Sequence, residues 1–238
     1  MGYKKIIKAG ATLEVERYQA YRPKGKKTRA PKSEPSSEEL AARNENAAIR
    51  KLTWILNENF SPGDFHITLT YSGKTPGEEE AKSCLQKYLR KLREVYRKNG
   101  QELRYIAVTE YSYSRIHHHV ILNSIDQRLI YGAWKYGRPK YVMLDPNGDY
   151  WRLAAYLVKE TRKSFGTERK PGARRWIGSR NLKHPEPVVK EVKSRFRKNP
   201  PEKVKYRGVT YYRNPDRPAE YWVEATGWEH SIAYYKRI

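Results

Sequence analysis

Three consecutive histidines are the residues of this chain whose type and spacing point most directly to chemistry. His117, His118 and His119 lie in the stretch from Leu103 to Asn123, where two runs rich in β-branched and aromatic residues flank a Ser/Tyr linker. This pattern predicts an antiparallel hairpin. Side chains alternate across a strand, so His117 and His119 share one face and His118 points to the other. Two imidazoles on one strand face are a ready pair of ligands for a divalent metal.

Glu110 offers the carboxylate that would complete such a site. It ends the first strand of the predicted hairpin and lies close enough to the His strand to act as a third ligand. Two His and one carboxylate leave coordination positions open for water or a phosphate oxygen. The spacing alone is also compatible with a structural His cluster or with a polar edge strand that binds no metal, and both alternatives stay open here.

A strand predicted over residues 65–71 precedes the His run. In it His66, Thr68 and Thr70 alternate with apolar residues, so the apolar set is expected in the core and the polar set near the catalytic surface. His66 is expected to have a hydrogen-bonding role, with metal ligation as the alternative.

A helix predicted from Tyr150 to Lys163 follows the His run. Tyr156, Lys159 and Lys163 are three and four residues apart, so they form one row along this helix. A Tyr nucleophile needs a phosphate held nearby, and a Lys one turn away can stabilise the phosphorane charge or favour the phenolate. Two alternatives stay open: Tyr156 is an ordinary buried aromatic residue, or Tyr150 is the nucleophile, although it lacks a Lys three residues on.

These three stretches resemble, in their order along the chain, the motifs of the HUH endonucleases, which include rolling-circle replication initiators, single-strand transposases and relaxases. The order of apolar strand, His-x-His and Tyr-x-x-Lys is similar to that of the initiators. Closer still, Leu103–Leu122 and Arg175–Leu182 resemble replication-associated proteins of small single-stranded DNA phages and plasmid-like elements in bacteria. The resemblance covers about residues 40–185. It departs at His118, where the family favours an apolar side chain, and the family order favours His117 and His119 as ligands.

The resemblance implies a metal-dependent enzyme that nicks single-stranded DNA at a specific site and rejoins it. Mn²⁺ or Mg²⁺ held by His117, His119 and Glu110 would polarise the scissile phosphate. Tyr156 would attack to form a 5′-phosphotyrosine link, and Lys159 would compensate charge. The free 3′-OH would initiate rolling-circle replication. The implied partners are a single-stranded origin sequence and the host replication helicase or polymerase.

Two other functions stay open at this point. A single-strand transposase or relaxase would use the same chemistry, and the location of the cleaved sequence would distinguish it from an initiator. A non-catalytic single-stranded nucleic-acid-binding protein would show no metal-dependent cleavage. Affinity for DNA does not separate these functions, because a protein of net charge +23 binds nucleic acid nonspecifically.

The composition favours a nucleic-acid partner over a membrane. Lys and Arg number 49 against 26 Asp and Glu, and such a field attracts polyanions. The 20 Tyr and 6 Trp suit single strands, whose bases stack on aromatic rings. The one Cys excludes an intrachain disulfide framework. With no membrane-spanning run and no signal peptide visible, a cytoplasmic protein is expected. The resemblance implies a bacterial cell and a phage or other mobile element as its source.

Basic charge is dense between Lys159 and Arg217, where 19 basic residues stand against 6 acidic ones. One loop of this segment combines guanidinium, indole and amide groups, which suits contacts to DNA phosphates and the stacking of a base. Together with the polar face of the first strand and the end of the Tyr helix, this loop supplies the predicted DNA-binding residues Thr68, Thr70, Lys163, Arg174, Arg175, Trp176, Arg180 and Asn181.

The order of elements predicts an α+β fold: a central antiparallel sheet with a split β-α-β, ferredoxin-like core, helices on one face and the active site on the other. Residues 36–185 are predicted as the nicking domain. Residues 1–35 are predicted as a basic N-terminal arm that begins with one or two strands, and residues 186–238 as a basic extension with two or three strands that completes the same domain. Further helices are predicted over residues 36–59, 75–99, 124–136 and 188–197.

Overall fold

The structure is a computed structural model that describes residues 2–19, 38–111, 115–165, 175–193, 198–223 and 227–237. No helix in this part of the chain is both long and apolar enough to cross a membrane. In chain order the elements are β1 (Gly2–Ala9), β2 (Thr12–Gln19), α1 (Glu38–Asn59), β3 (Phe65–Leu69), α2 (Glu78–Lys98), β4 (Tyr105–Tyr111), β5 (Ile116–Leu122), α3 (Gln127–Ile130), a 3₁₀ helix (Tyr131–Ala133), β6 (Lys140–Met143), α4 (Trp151–Phe165), β7 (Ile177–Gly178), β8 (Val188–Val192), β9 (Lys203–Tyr206), β10 (Val209–Arg213), β11 (Glu220–Val223) and β12 (Glu229–Lys236).

The chain divides into two compact units. The central unit is the continuous segment Ser36–Lys183, and the terminal unit combines Met1–Pro35 with His184–Ile238. The sequence predicts the C-terminal segment as an extension of the nicking domain. In the structure its strands pair instead with β1 and β2 in one sheet. The basic stretch of residues 21–35 and the helix cap proposed at Ser36 lie outside the described residues.

The central unit is built on an antiparallel sheet of five strands in the order β6-β3-β5-β4-β7. The predicted hairpin is confirmed as β4 and β5, which pair antiparallel along their whole length. β5 also pairs antiparallel with β3, so β3 and β4 run parallel to each other on either side of β5 and are joined through α2. This order sets the His strand in the middle of the sheet.

Helices cover both faces of this sheet, so the predicted arrangement with helices on one face only is wrong. Alternate residues of the strands, among them Ile67 and Val120, pack against α2 and the 3₁₀ helix. The opposite set, including Ile106 and Ile121, packs against α1 and α4. The reason is that α1 and α4 carry apolar stripes of their own. Leu52 of α1, for example, is fully buried, and such burial stabilises by about 1.5–3 kcal/mol per side chain.

The end of helix α2 could be read from the sequence, but its start was predicted too early: the helix begins at Glu78 after the N-cap Gly77, and not at Thr75 and Pro76. Its first turn is acidic (Glu78, Glu79, Glu80) and its last turn is basic (Arg97, Lys98), which complements the helix dipole. Gly100 follows with a φ of 69°, a conformation that glycine adopts at low cost. The predicted end at Asn99 and Gly100 is confirmed.

Two helix predictions are wrong. The predicted helix over residues 124–136 is reduced to α3 and the 3₁₀ turn. Its cap is Asp126, whose side chain accepts a hydrogen bond from the backbone N–H of Arg128, and not Ser124. The predicted helix over residues 188–197 is strand β8 over its first five residues, where it pairs with β1. Tertiary pairing overrides the weak helix preference of a segment rich in Val. Residues 194–197 lie outside the described residues.

The terminal unit is a seven-stranded sheet with the path β8-β1-β2-β12-β10-β9, and β11 pairs with β12 beside this path. The aromatic-polar alternation that predicted C-terminal strands is confirmed in β10, β11 and β12. The core of this unit consists of Ile6, Leu13, Val15, Tyr211, Ala233 and Tyr235.

Candidate active site

The three predicted metal ligands come together on the face of the sheet that α4 covers. Glu110 and His117 are partners across β4 and β5. Oε2 of Glu110 lies 3.7 Å from Nδ1 of His117 and 3.8 Å from Nε2 of His119. Glu110 and His119 are buried, whereas the His117 side chain is partly open to solvent. The register between β4 and β5 therefore brings Glu110 close to both histidines, as expected from the predicted hairpin.

The donor set fits a divalent cation in its chemistry, although the side chains are not closed around a centre. No group of three or more His, Cys, Asp or Glu side chains in the described part of the chain is arranged to hold a metal ion as it stands. Ligand atoms bonded to one cation at about 2.1 Å lie about 3.0–3.4 Å apart. The carboxylate of Glu110 and each of the two histidines would have to approach each other by a few tenths of an ångström. The partly exposed His117 has room to do so.

His119 presents its two ring nitrogens to different surroundings. Nδ1 lies 3.1 Å from Nε2 of His66 and 3.5 Å from Oγ1 of Thr68, while Nε2 faces Glu110. Burial lowers the pKa of His119 to about 3, and the charges of neighbouring histidines add to the effect. Burial and the charge of Lys140 lower the pKa of His66 to about 4. Both rings are therefore neutral near pH 7, and one donates its single N–H to the other.

This pairing favours a hydrogen-bonding role for His66. When the Nδ1–H of His119 donates to His66, the lone pair of His119 Nε2 is directed at Glu110. Histidines that bind metals commonly donate their second N–H in this way, which holds the ring in one orientation and one tautomer.

His118 belongs to the other face of the sheet, as the alternation predicts. It is fully buried, with Nε2 at 2.7 Å from the hydroxyl of Tyr71 and Nδ1 at 2.9 Å from Oγ1 of Thr109. Trp134 packs edge-on against its ring. Burial lowers the pKa of His118 to about 4, so the ring is neutral and both nitrogens have partners. The structure thus explains the middle His of the run as part of a buried polar network.

We expect Tyr71→Phe to lower the free energy of unfolding by about 1–3 kcal/mol, because it leaves a buried nitrogen of His118 without its partner. Urea unfolding measures the change. Tyr131→Phe, at a residue that is 66 % exposed, is the control and should be nearly neutral. Equal values for the two variants would contradict a stabilising role for the Tyr71–His118 contact.

Tyr156 lies on α4 at the edge of the His cluster. Its hydroxyl is 3.5 Å from Nε2 of His119, and the two rings meet edge to face. The residue is 43 % exposed, so a substrate can approach its side chain. Burial raises its pKa, and the charges of Glu160 and Glu110 add to the rise, so the phenol is protonated at neutral pH. Lys159, three residues on, is exposed.

Tyr150, the rival nucleophile, is only 3 % exposed. Burial raises its pKa to about 12, and its hydroxyl has no hydrogen-bond partner in the described part of the chain. Tyr150 instead takes part in anchoring α4. Asn57 of α1 accepts a hydrogen bond from the backbone N–H of Tyr150 and donates one to Asp149. This anchor fixes the start of the helix that carries Tyr156.

The predicted DNA-binding residues are not gathered at one place. Thr68 lies beside His119, whereas the hydroxyl of Thr70 donates to the backbone carbonyl of Arg138. In the loop before and after β7, most of the predicted side chains contact the protein itself. Arg175 donates to Thr161, Trp176 packs against the α1–α4 core, and Asn181 donates to Glu102 and to the carbonyl of Leu103, while Arg180 is exposed. Arg174 and the side chain of Lys163 lie outside the described residues.

Lys140 is a candidate site residue that the sequence analysis missed. It pairs with Thr68 across β6 and β3, and Thr68 pairs in turn with His119, so the three side chains form one row across the sheet. Lys140 is exposed, and its charge reaches His66. The only sequence signal was its place before an apolar strand. The pairing of β6 with β3, which brings Lys140 to the site, is set by the tertiary fold.

One of three comparisons with known proteins gave a match. Residues 64–165 match the family model of replication-associated protein ORF2/G2P. The matched range includes all three candidate ligands and Tyr156. The match supports a replication initiator, a protein with a role in starting DNA replication. No curated protein and no solved structure gave a significant match to the chain.

Proposed function

We propose that the central unit is a metal-dependent, site-specific endonuclease and strand transferase for single-stranded DNA, of the HUH type, which initiates rolling-circle replication. The observation that carries the proposal is the 3.5 Å distance between the Tyr156 hydroxyl and Nε2 of His119. It brings a candidate nucleophile next to the candidate metal ligands. The family match over residues 64–165 supports the replication role.

The strand order supports an HUH core. β3, α2 and β4 form a β-α-β unit whose two parallel strands are separated by the antiparallel β5. This is the arrangement expected of a split β-α-β fold. It sets the His strand between its neighbours with the ligand face toward α4.

A divalent cation, Mn²⁺ or Mg²⁺, bound by His117, His119 and Glu110 would supply Lewis-acid polarisation of the scissile phosphate. Tyr156 forms the new bond, from its phenolic oxygen to phosphorus, while the bond from phosphorus to the 3′ oxygen breaks. The phenolic proton passes to solvent and the departing 3′ oxygen takes up one proton from solvent, so no proton is consumed overall. One phosphodiester replaces another, and the 3′-OH can later reverse the reaction.

Positively charged and polar side chains near Tyr156 are suited to assist the proposed reaction. Burial and the charges of Glu160 and Glu110 raise the pKa of Tyr156, so a nearby positive charge would favour ionisation of the hydroxyl. Lys159 follows three residues later in the same helix and is exposed, so its ammonium group is suited to compensate the charge of the phenolate. Lys140 and Thr68, in the row that includes His119, are suited to bind the phosphates on either side of the scissile bond. The free 3′-OH would serve the host polymerase.

The proposal is tested by incubating the protein with circular single-stranded DNA that contains the origin of its own element, in Mn²⁺. A nucleotide adduct on Tyr156, detected by peptide mass analysis, is the expected result. An adduct on another Tyr would overturn the site. No cleavage by protein with metal bound would overturn the reaction and favour a binding protein. Cleavage mapped to an element end instead of an origin would favour a transposase.

We expect His66→Ala to weaken Mn²⁺ binding by about 10- to 100-fold, the effect typical of removing a group that orients a ligating His. The physical reason is that His119 Nδ1 loses the partner that holds its ring. Isothermal titration with Mn²⁺ measures the change, and His66→Asn, which restores a polar group, should recover part of it. His184→Ala, at an exposed residue of the terminal unit, is the control. Unchanged affinity in His66→Ala would contradict the positioning role.

A further inference from the structure

A row of three cationic side chains crosses one edge of the terminal sheet. Lys190 of β8 pairs with Lys4 of β1, and Lys4 pairs with Arg17 of β2. Directly paired residues point to the same face of a sheet, so the three side chains stand next to each other within roughly 10 Å. Lys190 is exposed, and Lys4 and Arg17 are partly exposed. We call these three residues the cationic band.

The acidic residues of β2 and β8 lie on the face of the sheet opposite the band. Glu14 and Glu16 of β2 and Glu191 of β8 alternate with the residues of the band and therefore lie on the opposite face. There Lys5 forms an ion pair with Glu16 at 3.3 Å. Among the described residues of β8, β1 and β2, no acidic side chain shares the face of the band.

The same row continues over two more strands without an acidic residue. Arg17 pairs with Ser231 of β12, and Ser231 pairs with Tyr221 of β11. Lys198 adds a fourth positive charge, with Nζ 5.5 Å from the centre of the Tyr221 ring. Glu229 of β12, two residues before Ser231, is an acidic residue on the same face. Its carboxylate accepts a hydrogen bond from the hydroxyl of Tyr221 at 2.6 Å.

Like charges in directly opposite positions of a sheet destabilise the fold unless an anion compensates them. The pKa of Lys4 reflects this repulsion. Partial burial lowers the pKa, and the charges of Arg17 and Lys190 lower it further. A bound polyanion would offset the repulsion that Lys4 experiences from Arg17 and Lys190. The ligand chemistry that matches a row of closely spaced cations is a row of phosphates, which a nucleic-acid backbone presents.

We propose that the cationic band is a second nucleic-acid-binding surface, at which Lys190, Lys4 and Arg17 bind backbone phosphates without reading the base sequence. It belongs to the terminal unit and does not depend on the nicking reaction proposed for the central unit. Its role is to hold DNA by charge. Contacts of this kind provide affinity and strong salt dependence, but no direct sequence information.

The test compares the full chain with the double variant Lys4→Gln, Lys190→Gln in fluorescence anisotropy titrations across a range of salt concentrations. Each phosphate contact contributes about 0.9 to the salt slope on duplex DNA and about 0.7 on single strands. We expect the slope of log K against log salt to become shallower by about 1.4–1.8. At 0.1 M salt the affinity should fall on the order of 10- to 100-fold, as the same slope implies. A change on the duplex alone identifies duplex DNA as the ligand, and a change on both substrates identifies the phosphate backbone in general.

The matched control is Lys87→Gln, Lys98→Gln, which removes the same charge from exposed positions of α2. An equal loss of slope in both double variants would overturn the proposal, because a general charge effect would then account for the binding. The variant Lys4→Arg, Lys190→Arg keeps the charge and should retain the wild-type slope; a loss there would point to a folding defect and also count against the band. The rate of cleavage at saturating DNA should not change in any of these variants, so failure of the band is distinguishable from failure of the nicking reaction.

Discussion

Tyr156→Phe is expected to abolish formation of the DNA–protein adduct and to lower the cleavage rate by at least on the order of 10³-fold, the scale on which loss of a nucleophile acts. The change removes one oxygen atom and keeps the ring, which packs edge-on against His119. The fold and the metal site should therefore stay intact. Denaturing gels of end-labelled single-stranded DNA measure cleavage, and peptide mass analysis locates the adduct.

Tyr150→Phe is the control for this experiment, because it removes the hydroxyl of the other Tyr on the same stretch of chain. Tyr150 is buried and its hydroxyl has no hydrogen-bond partner in the described part of the chain, so the loss should leave cleavage near the wild-type rate. Retained adduct formation in Tyr156→Phe, or its loss in Tyr150→Phe alone, would show that the nucleophile is elsewhere.

His117→Ala is expected to weaken Mn²⁺ binding by more than about 100-fold and to reduce cleavage in parallel, because removing a ligand should cost more than removing a group that only orients one. His117 is the ligand to change first, since its side chain is partly exposed and its loss leaves no buried cavity. Titration calorimetry or the electron paramagnetic resonance of free Mn²⁺ measures binding without reference to activity.

Chelation provides the second arm of the metal test. Treatment with a chelator should stop cleavage by the wild type, and added Mn²⁺ should restore it, whereas His117→Ala should not recover at the same concentration. Glu110→Gln, which keeps the size of the side chain and removes its charge, should behave like His117→Ala. Wild-type affinity in both variants would exclude these residues as ligands. His184→Ala serves again as the exposed control.

The hairpin could be predicted because its information is local. A strand repeats every two residues, so the spacing of His117 and His119 determines that they share a face, and a short linker leaves little choice of partner strand. The register then brings Glu110 opposite His117. The same local logic gave the end of α2 at Asn99 and Gly100 and the start of α4 near Tyr150.

The hydrogen-bonding role of His66 was expected, but its partner His119 could not be read in this way, and neither could the place of Lys140 beside Thr68. Both depend on which strands lie beside β5 and β3, and that order is decided by the packing of segments far apart in the sequence. Helix α1 provides a similar case. Its apolar stripe was evident, but the face of the sheet that it covers depends on how α1 and α4 share the core.

The sequence by itself determined the candidate residues for the proposed chemistry: the His pair, the carboxylate across the hairpin, and the Tyr and Lys on one helix. Only the tertiary structure decided that helices cover both faces of the sheet, that Tyr150 is buried while Tyr156 is exposed, and that residues 188–192 form a strand with β1. The physical reason is the range of the interactions. Alternation and helical periodicity act over a few residues, whereas burial and strand pairing join segments as distant as β1 and β8.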